Sequence, residues 1–207
     1  MAQLPVPTIR RLVEYYRILK DMKRKEKGDK IVISTDLAAR TGITPAQVRK
    51  DLSYLGGMGF KGVGYDIEIL LKHLTDVLGF NRESRVIIIG AGNLGRALCC
   101  YDEFAELGIK VEGIFDNDLT KIGNQVNGFT VRGMQQIEKF IDTHNISLAI
   151  IVVPADEAQK VADRLKETTL EAIWNFAPVF LDLPSRIKIK REDLSSGLGS
   201  LIYHLHN

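Results

Sequence analysis

The sequence predicts a two-part α/β protein, in which a basic and mainly helical N-terminal region precedes a doubly wound, mainly parallel sheet. From about residue 85 onward, short apolar runs rich in β-branched residues alternate with segments whose apolar residues recur at helical spacing, a pattern typical of a parallel sheet covered by helices. Before residue 80 the periodicity is mostly helical, and a glycine-rich stretch interrupts it at 56–65. A chain of 207 residues can hold two modest domains. We place them at 1–80 and 81–190, with a separate terminal helix at 191–207.

The composition is that of an ordinary globular protein, with 45% apolar and 26% charged residues. No apolar run approaches the length that crosses a bilayer, and the N-terminus lacks the apolar core of a signal peptide. We therefore expect a cytoplasmic protein with no membrane partner. The two cysteines, Cys99 and Cys100, are adjacent, and the sequence contains no C-x-x-C or Cys/His cluster, so we expect no bound metal.

Charge is divided unevenly along the chain, although the net charge is only +2. Residues 1–65 carry 13 Lys and Arg against 6 Asp and Glu, whereas residues 66–207 carry 15 against 20. One end of the chain is therefore basic and the other mildly acidic. Such asymmetry indicates a polyanionic partner for the N-terminal region.

The N-terminal region is predicted to contain helices at 9–27 and 35–41, with a short strand at 31–33 between them. Thr44 is predicted to cap a third helix, with Pro45 at its first position and Gln47 completing a capping box. Val48, Leu52 and Leu55 would face inward. The residues of this helix left for the outside are Gln47, Arg49, Lys50, Ser53 and Tyr54.

The glycine-rich stretch at 56–65 has Phe60, Lys61 and Tyr65 between its glycines, and we interpret it as a short β-hairpin with an exposed basic tip. A helix, a short helix, a glycine turn, a well-capped basic helix and a hairpin together indicate a winged helix-turn-helix. The alternative is a generic small helical domain whose charges form a solvated face. A further apolar-faced helix at 66–79 would join this region to the second domain.

The second domain begins with Arg85–Ile89, an apolar strand that we expect to be buried on both faces. The pattern G-x-G-x-x-G follows directly at Gly90–Gly95, then a predicted helix at 93–107 and a second strand that ends at Asp116. In such a unit the first glycine permits a tight turn, the second lets a pyrophosphate approach the backbone, and the third lets the helix pack on the sheet. Together these elements predict a dinucleotide-binding site, with the free N–H groups at the helix start facing the phosphates.

Asp116 indicates which dinucleotide is bound. A carboxylate at the tip of this strand accepts hydrogen bonds from a ribose 2′-hydroxyl, and it would repel the 2′-phosphate of NADP. The sequence therefore favours NADH and NAD⁺ as the cofactor.

Strands at 129–131, 147–153 and 171–176 are predicted to continue the sheet, with helices at 134–144 and 156–168. Ligands of such sheets lie at the carboxyl ends of the strands. We therefore expect the strand tips to outline one cofactor cleft, formed by Gly90, Ala91, Gly92, Asn93, Leu94, Gly95, Asp116, Pro154, Asn175, Ala177 and Pro178.

The end of the chain has a separate pattern. Residues 187–190 alternate as a half-exposed strand, and five apolar residues then recur at helical spacing, namely Leu194, Leu198, Leu201, Ile202 and Leu205. An apolar stripe of this kind has to be covered. It could pack on its own domain, but covering by a second subunit suits a protein that binds a two-fold DNA site.

Four stretches carry a resemblance to a known family. They are Gln47-Val48-Arg49-Lys50-Asp51-Leu52-Ser53-Tyr54, Lys61-Gly62-Val63-Gly64-Tyr65, the loop Gly90–Gly95 and Asn175-Phe176-Ala177-Pro178. Together they resemble the Rex family of redox-sensing transcriptional repressors over nearly the whole chain. The resemblance implies a homodimer with winged helices, Rossmann domains and a terminal helix swapped into the partner. It also implies that NADH lowers the affinity for a palindromic operator in double-stranded DNA, whereas NAD⁺ competes without full release.

The resemblance also implies roles for individual residues. Arg49, Lys50 and Ser53 would lie in the major groove, and Lys61 at the wing tip would reach the minor groove. The complete set expected at the DNA is Thr44, Gln47, Arg49, Lys50, Ser53, Tyr54, Lys61 and Gly62. A switch proposed for the family joins an Arg of the first helix, a Tyr on the first Rossmann helix and an Asp before the swapped helix. These correspond to Arg17, Tyr101 and Asp193.

Two other functions are compatible with part of this pattern. An NAD-dependent dehydrogenase would need a substrate domain, but only 128 residues follow Gly79, about one nucleotide domain with its tail. None of the four histidines lies at a predicted strand tip, so we expect no catalytic residues and no enzyme activity. The second alternative is a DNA-binding regulator of another nucleotide-like ligand, such as a coenzyme A derivative. Asp116 argues against it by favouring a free ribose diol.

Overall fold

The structure, a computed structural model, describes residues 4–25, 30–56, 59 and 63–206. The chain divides into two compact units, Met1–Arg82 and Glu83–Asn207, close to the boundary expected at residue 80. Among the described residues, no helix is long and apolar enough to cross a membrane. Across the same residues, no group of three or more His, Cys, Asp or Glu side chains could hold a metal ion.

The N-terminal unit combines helices with a two-stranded sheet. Its elements are α1 (Val6–Lys25), β1 (Ile31–Val32), α2 (Ser34–Thr41), α3 (Pro45–Ser53), β2 (Tyr65–Asp66) and α4 (Ile67–Leu78). The strands are antiparallel, and Val32 pairs with Tyr65. The end of the predicted hairpin at Tyr65 therefore belongs to the sheet, while Lys61 and Gly62 at its tip lie outside the described residues.

The buried face of α1 differs from the predicted stripe. Leu12 and Leu19 are buried as predicted, but Ile9 is 37% exposed and Tyr15 is completely buried. Tyr15 can be buried because its hydroxyl group donates a hydrogen bond to Asp51. Apolar periodicity does not reveal such a partner, which lies on another helix.

The turn between α2 and α3 largely follows the prediction. Gly42 adopts a φ of 71°, and its N–H donates to the carbonyl of Ala38. At the start of α3, the Thr44 hydroxyl accepts a hydrogen bond from the Gln47 N–H at 3.2 Å. The second half of the predicted capping box is wrong, because the Gln47 side chain donates to Asp51 rather than reaching back to Thr44.

The C-terminal unit is built on a seven-stranded sheet. Its strands are β3 (Ser84–Ile89), β4 (Ile109–Asp116), β5 (Gln125–Val126), β6 (Phe129–Gly133), β7 (Leu148–Ile151), β8 (Ala172–Asn175) and β9 (Lys188–Arg191). Its helices are α5 (Asn93–Cys99), α6 (Glu103–Glu106), α7 (Ile137–His144), α8 (Ala155–Leu165) and α9 (Leu194–His206), with a 3-10 turn at Met134–Gln136.

The strand order is β5-β6-β4-β3-β7-β8-β9, and every neighbouring pair is parallel except β5 with β6. This order confirms the predicted doubly wound, mainly parallel sheet. The direction of winding reverses at β3, which lies between β4 and β7. Such a switch point opens the crevice in which these sheets bind ligands.

Strand β3 is buried on both faces, as predicted. Ile87 and Ile89 belong to the apolar cluster beneath α7 and α8. Val86 and Ile88 belong to the cluster on the opposite face, together with Phe104 of α6. The glycine loop therefore follows a strand that is covered by apolar residues on both faces.

Two local predictions in this unit are wrong. The helix predicted at 93–107 is divided into α5 and α6, and Tyr101 lies between them with 44% of its surface exposed. The N–H groups of Cys100 and Tyr101 bond to carbonyls three residues earlier, so α5 ends in a tightened turn. Between the predicted strands that end at Asp116 and begin at residue 129, where the sequence analysis assigned no strand, the structure has β5, whose two residues are too few to show a strand period.

Helix α9 carries the predicted apolar stripe but buries none of its residues. The five side chains of the stripe are all more than half exposed, from 54% at Ile202 to 71% at Leu205. Packing on its own domain, one of the two alternatives, is therefore not the arrangement of the single chain. An apolar groove of about 380 Å³ is open in the same unit on the side of β7, β8 and β9, and we call it the β7–β9 groove. Its lining residues are Val86, Phe104, Ile109, Leu148, Ile150, Ala172, Ile173, Trp174, Lys188, Ile189, Lys190 and Glu192.

Candidate functional site

A cavity of about 690 Å³ lies at the carboxyl ends of β3, β4 and β7. Four of the predicted cofactor residues line it, namely Gly90, Gly92, Asp116 and Pro154. The other lining residues are Ile89, Asn117, Asp118, Lys121, Met134, Val152, Val153, Glu157 and Val161. A cleft of this volume, with apolar walls and a few polar groups, has the properties of a small-molecule or cofactor site.

The glycine loop has the backbone that its sequence requires. Gly90 adopts a φ of 112°, a conformation that L side chains rarely reach. A Cβ on Gly95 would overlap the carbonyl oxygen of Gly90, so only glycine lets α5 begin this close to the loop. Gly92 differs, because a Cβ there would meet no atom within 4 Å. The space beside Gly92 is thus open to a ligand.

Three partners fix the side chain of Asp116. Its Oδ2 accepts a hydrogen bond from the Ala91 N–H at 2.7 Å, and its Oδ1 accepts one from the Asp118 N–H at 2.8 Å. The ammonium group of Lys121 lies 3.2 Å from Oδ2. Burial raises the pKa of Asp116, but the two backbone hydrogen bonds and Lys121 outweigh it and hold the pKa below its ordinary value. The carboxylate is therefore ionised at neutral pH and able to accept hydrogen bonds from a diol.

Lys121 lines the cavity and contacts Asp116, although the sequence did not single it out. Besides Asp116, its ammonium group lies 3.5 Å from Asp118 Oδ2. Its hydrogen bond to Asp116 is the main cause that raises the pKa of Lys121. In the sequence it resembles any lysine of a polar loop, and its only signal is a position five residues after Asp116.

The remaining residues predicted at the glycine loop contribute a backbone hydrogen bond or form the start of α5. Ala91 is 3% exposed and contributes its backbone N–H to Asp116. Asn93, Leu94 and Gly95 form the first turn of α5, after a Gly92 N-cap that has no side chain. These four residues are not among those that line the cavity, so their contact with a cofactor remains a prediction.

Asn175 shapes the loop that follows β8. Its side-chain amide donates to the carbonyls of Ala177 at 3.2 Å and Val179 at 3.0 Å, and it accepts from the Ala177 N–H at 2.9 Å. Asn175, Ala177 and Pro178 do not line the cavity. Their direct role toward a cofactor therefore also stays a prediction.

On the N-terminal unit, the expected DNA-binding residues at the C-terminal half of α3 share an accessible face. Arg49 and Lys50 are exposed, and Arg49 Nη1 donates to the hydroxyl of Ser34, at the start of α2, at 3.0 Å. The Ser53 hydroxyl donates to the Lys50 carbonyl at 2.7 Å, and Tyr54 is 47% exposed. This face therefore offers two cations, a hydroxyl and a phenol to a polyanion.

Thr44 and Gln47 of the expected DNA-binding set have protein partners. The Thr44 hydroxyl caps α3, and Gln47 Nε2 donates to Asp51 Oδ1 at 2.9 Å. Asp51, which the sequence did not single out as a site residue, is completely buried. Burial raises the pKa of Asp51, but hydrogen bonds from Arg11, Gln47 and Tyr15 outweigh it, so the pKa lies below its ordinary value.

The three residues expected at the switch lie in both units. Arg17 is exposed on α1. Tyr101, contrary to the prediction, is not on a continuous helix, and its hydroxyl donates to Glu103 at 2.9 Å. Asp193 precedes α9 and accepts hydrogen bonds from the hydroxyl and the N–H of Ser195, which lower its pKa.

Two family models match the chain. One, described as a putative DNA-binding protein N-terminus, matches residues 3–53, and the other, described as a CoA binding domain, matches residues 81–179. With the helix-turn-helix unit and the cofactor-sized cavity, they define a class of protein: a DNA-binding regulator that carries a nucleotide-binding domain of the Rossmann type.

The chain belongs to the Rex family of redox-sensing transcriptional repressors. It is 42% identical to the redox-sensing transcriptional repressor Rex of Carboxydothermus hydrogenoformans over 203 residues, which cover 98% of this chain and 97% of that protein. It is 41% identical to the repressor of the same name from Desulforamulus reducens, over 98% of this chain and 96% of that one. These relatives are named as repressors and not as enzymes, in agreement with the prediction.

Solved structures of RSP, described as a Rex-family repressor, share the fold. RSP in complex with NAD⁺ and operator DNA matches with a TM-score of 0.90 at 36% identity, covering 99% of this chain and 94% of that one. RSP in complex with NADH matches with a TM-score of 0.89 at 35% identity, covering 99% and 95%. The family resemblance carried by the four sequence motifs is thus confirmed.

Proposed function

We propose that the chain is a homodimeric repressor that binds palindromic operator DNA through its winged helices and leaves it when NADH binds the C-terminal unit. The observation that carries the proposal is an ionised Asp116 in a cofactor-sized cavity, on a chain that also presents the basic face of α3. The similar protein RSP has structures with NAD⁺ and operator DNA and with NADH. A sensor of this kind requires a dinucleotide site and a DNA-binding helix on the same chain.

In this proposal the dinucleotide lies across the carboxyl ends of β3 and β4. Asp116 accepts hydrogen bonds from ribose hydroxyls and repels a 2′-phosphate, while Gly92 leaves room for the pyrophosphate. The walls of the cavity are largely apolar. An apolar wall beside the nicotinamide penalises the cationic ring of NAD⁺ more than the neutral ring of NADH, and this difference supports discrimination between the two redox forms.

At the DNA, α3 acts as the recognition helix. Arg49 can form a two-pronged contact with a guanine edge, and Lys50 supplies a second cation. The resemblance implies that Lys61 and Gly62, which lie outside the described residues, reach toward the minor groove. Two such helices engage both halves of a palindrome when they lie about 34–36 Å apart. We place the protein in the cytoplasm, as the sequence predicts.

The homodimer gives α9 a place to pack. Its exposed apolar stripe and the β7–β9 groove are two uncovered apolar surfaces of the same unit. If α9 of each subunit covers the partner, both surfaces leave water at once, which favours association. The swapped terminal helix that the resemblance implies is consistent with this arrangement.

Release from DNA follows from a difference in affinity. NADH shifts the protein away from the operator only if it binds the DNA-incompetent dimer more tightly than the DNA-competent one. By the same linkage, operator DNA lowers the affinity for NADH by an equal factor. The NADH affinity measured with and without operator DNA is therefore a second, independent test of the switch.

A second candidate function is the sensing of a coenzyme A derivative, because the model that matches residues 81–179 is described as a CoA binding domain. Asp116 argues against it. The adenosine ribose of coenzyme A carries a phosphate group, and an ionised carboxylate at the ribose position would repel it.

The direct test is the fluorescence anisotropy of a labelled palindromic operator bound to the protein, titrated separately with NADH, NAD⁺ and coenzyme A. We expect release at micromolar NADH and little release at the same concentration of NAD⁺ or coenzyme A. Release by coenzyme A alone would favour the second function. DNA binding that is indifferent to all three compounds would contradict the redox switch.

A further inference from the structure

We infer that Asp51 is a positioning residue for DNA recognition, since its buried carboxylate fixes α3 to α1 and so sets the direction in which Arg49 and Lys50 face the operator. The inference rests on the proposed function, because it takes α3 as the recognition helix. It goes beyond that function because Asp51 has no accessible surface and cannot itself touch DNA. It acts through the residues that it holds.

At least five hydrogen bonds converge on the two carboxylate oxygens of Asp51. The donors are Thr8, Arg11 and Tyr15 of α1 and Gln47 of α3. Together with Asp51 we call them the Asp51 cluster. Oδ1 accepts from Arg11 Nη2 at 2.8 Å, from Gln47 Nε2 at 2.9 Å and from Thr8 Oγ1 at 3.4 Å. Oδ2 accepts from Arg11 Nε at 2.6 Å and from the Tyr15 hydroxyl at 3.0 Å.

The geometry of the Arg11–Asp51 pair restricts the orientation of α3 relative to α1. Arg11 donates through both Nε and Nη2, one to each carboxylate oxygen. A two-pronged pair of this kind is planar and has one favourable arrangement. Arg11 and Asp51 are 40 positions apart in the sequence, so the pair fixes one helix against another rather than stabilising a single helix.

Gln47 extends the cluster to the first turn of α3. Its side chain donates to Asp51, and its N–H donates to the capping hydroxyl of Thr44. The cap, the first turn and the buried acid are therefore joined in one chain of hydrogen bonds. The accessible residues Arg49 and Lys50 lie between these two fixed points of the helix.

Stability alone does not account for a buried ion pair at this position. Replacing such a pair by apolar residues of similar volume is often neutral or stabilising. Apolar packing would, however, allow α3 to rotate or slide slightly against α1, because it has no directional contacts. A carboxylate on a recognition helix would also repel phosphates, and burial beside Arg11, itself only 23% exposed, removes that repulsion.

The decisive variant is the double substitution Arg11→Met with Asp51→Leu, which removes both charges and leaves no unpaired one. We expect it to stay folded, because replacing both charges by apolar residues leaves no unpaired charge, although the Tyr15 hydroxyl and the Gln47 amide lose their acceptor. Its NADH affinity should stay close to wild type, because the predicted NADH site lies in the other unit. Its affinity for the operator should fall about tenfold, the effect of losing charge-assisted positioning contacts, while its affinity for a scrambled duplex stays within about twofold. The double substitution leaves the net charge unchanged. Arg10→Met, at an exposed position of the same helix, tests separately whether the loss of one positive charge alters the preference for the operator, and it should keep the wild-type preference.

Two milder variants test the inference if the double variant does not fold. Tyr15→Phe removes one hydrogen bond to Asp51, and Arg11→Lys keeps the charge but loses the two-pronged geometry. Both should stay folded, with a melting temperature lowered by the loss of a hydrogen bond to a buried charged group, and both should lose part of the preference for operator over scrambled DNA. A wild-type preference in the folded double variant, or in both milder variants, overturns the inference, as does an equal loss of affinity for both duplexes. A wild-type protein without any operator preference would instead contradict the proposed function.

Discussion

The carboxylate of Asp116 accepts a hydrogen bond from the backbone N–H of Ala91 at 2.7 Å, so the acid at the end of β4 is tied directly to the glycine loop after β3. Lys121 contacts the same oxygen at 3.2 Å. Asp116 therefore has two tasks, because it shapes the loop and it faces the cavity. Its second oxygen carries one hydrogen bond, from Asp118, which leaves lone pairs available to a ribose diol.

Substitution of Asp116 should change both affinity and selectivity. We expect Asp116→Ala to weaken NADH binding by about 10–100-fold, the cost of hydrogen bonds to a charged acceptor. The preference for NADH over NADPH should narrow in the same variant, because the repelling charge is gone and Lys121 loses its main partner. Titrations of both nucleotides by fluorescence give the two affinities. Asp142→Ala, an exposed acid away from the cavity, is the control, and an unchanged NADH affinity in Asp116→Ala would remove Asp116 from the site.

Gly92 and Gly95 offer a matched pair of substitutions. A Cβ at Gly95 would overlap the Gly90 carbonyl oxygen, whereas one at Gly92 would meet nothing within 4 Å. We expect Gly95→Ala to destabilise the C-terminal unit by about 1–3 kcal/mol, as overpacking does. Gly92→Ala should melt like wild type but bind NADH at least about tenfold more weakly, since its methyl group enters the space expected for the pyrophosphate. Calorimetry and NADH titration of both variants separate the two roles, and normal NADH binding by Gly92→Ala would contradict a phosphate beside this glycine.

Elements whose signal lies in contiguous residues can be predicted from the sequence. The run before Gly90, the glycine pattern and the acid at Asp116 form one local unit, and the structure has it as expected. The cap at Thr44 and the αL turn at Gly42 are equally local. The same locality explains the parallel sheet, because alternating strand and helix segments leave few other topologies.

Features that depend on distant partners could not be predicted in this way. The burial of Tyr15 and Asp51 depends on a hydrogen bond between residues 36 positions apart, and periodicity alone assigns both to the surface. The partner of Gln47 is only four residues further along the same helix, but Asp51 is buried through its contacts with α1, so the side-chain direction of Gln47 depends indirectly on that distant helix. The break between α5 and α6 depends on a choice between two hydrogen-bond patterns at Cys100 and Tyr101, which differ little in intrinsic preference.

Arg49 and Lys50 should contribute to DNA binding in different ways. If Arg49 contacts a base, Arg49→Ala should weaken the free energy of operator binding by about 1–3 kcal/mol and relax specificity at one base pair. If Lys50 contacts a phosphate, Lys50→Ala should lower the affinity for all DNA sequences by a similar factor. It should also reduce the slope of log affinity against log salt concentration by about 1. Ser34→Ala removes the hydrogen bond that Arg49 donates to Ser34. It should lower the operator affinity less than Arg49→Ala does, and relax specificity at the same base pair.

Binding to a set of operator variants at several salt concentrations distinguishes these effects. Arg40→Ala is the control, because Arg40 is exposed at the end of α2 rather than on α3. If Arg49→Ala, Lys50→Ala and Arg40→Ala lower the DNA affinity equally, and by the same factor for every operator variant, only the net charge matters.

Acid should destabilise the N-terminal unit through Asp51. Its pKa is lower in the folded protein than its ordinary value, so its contribution to stability is present above the unfolded pKa of about 3.9 and is lost as the pH falls through the folded pKa. The melting temperature of wild type should therefore be nearly constant from pH 7 to about pH 5 and fall below about pH 4. Asp51→Asn should be less stable than wild type at pH 7, and the difference should shrink as the pH is lowered. A difference that stays constant down to about pH 3 would show that the charge of Asp51 is not what stabilises the unit.

Helix α9 should determine the oligomeric state. Leu198 and Leu201 are 63% and 56% exposed in the single chain, and burying two leucines of this size stabilises an interface by about 1.5–3 kcal/mol each. We expect Leu198→Glu with Leu201→Glu to shift the protein from dimer to monomer in sedimentation experiments and to reduce operator affinity strongly, since one recognition helix alone engages only half of a palindrome. Val6→Glu, a substitution at a residue that is 62% exposed on α1, adds charge elsewhere and should leave the dimer intact. If the leucine variant stays dimeric and binds the operator normally, α9 does not cover the partner subunit.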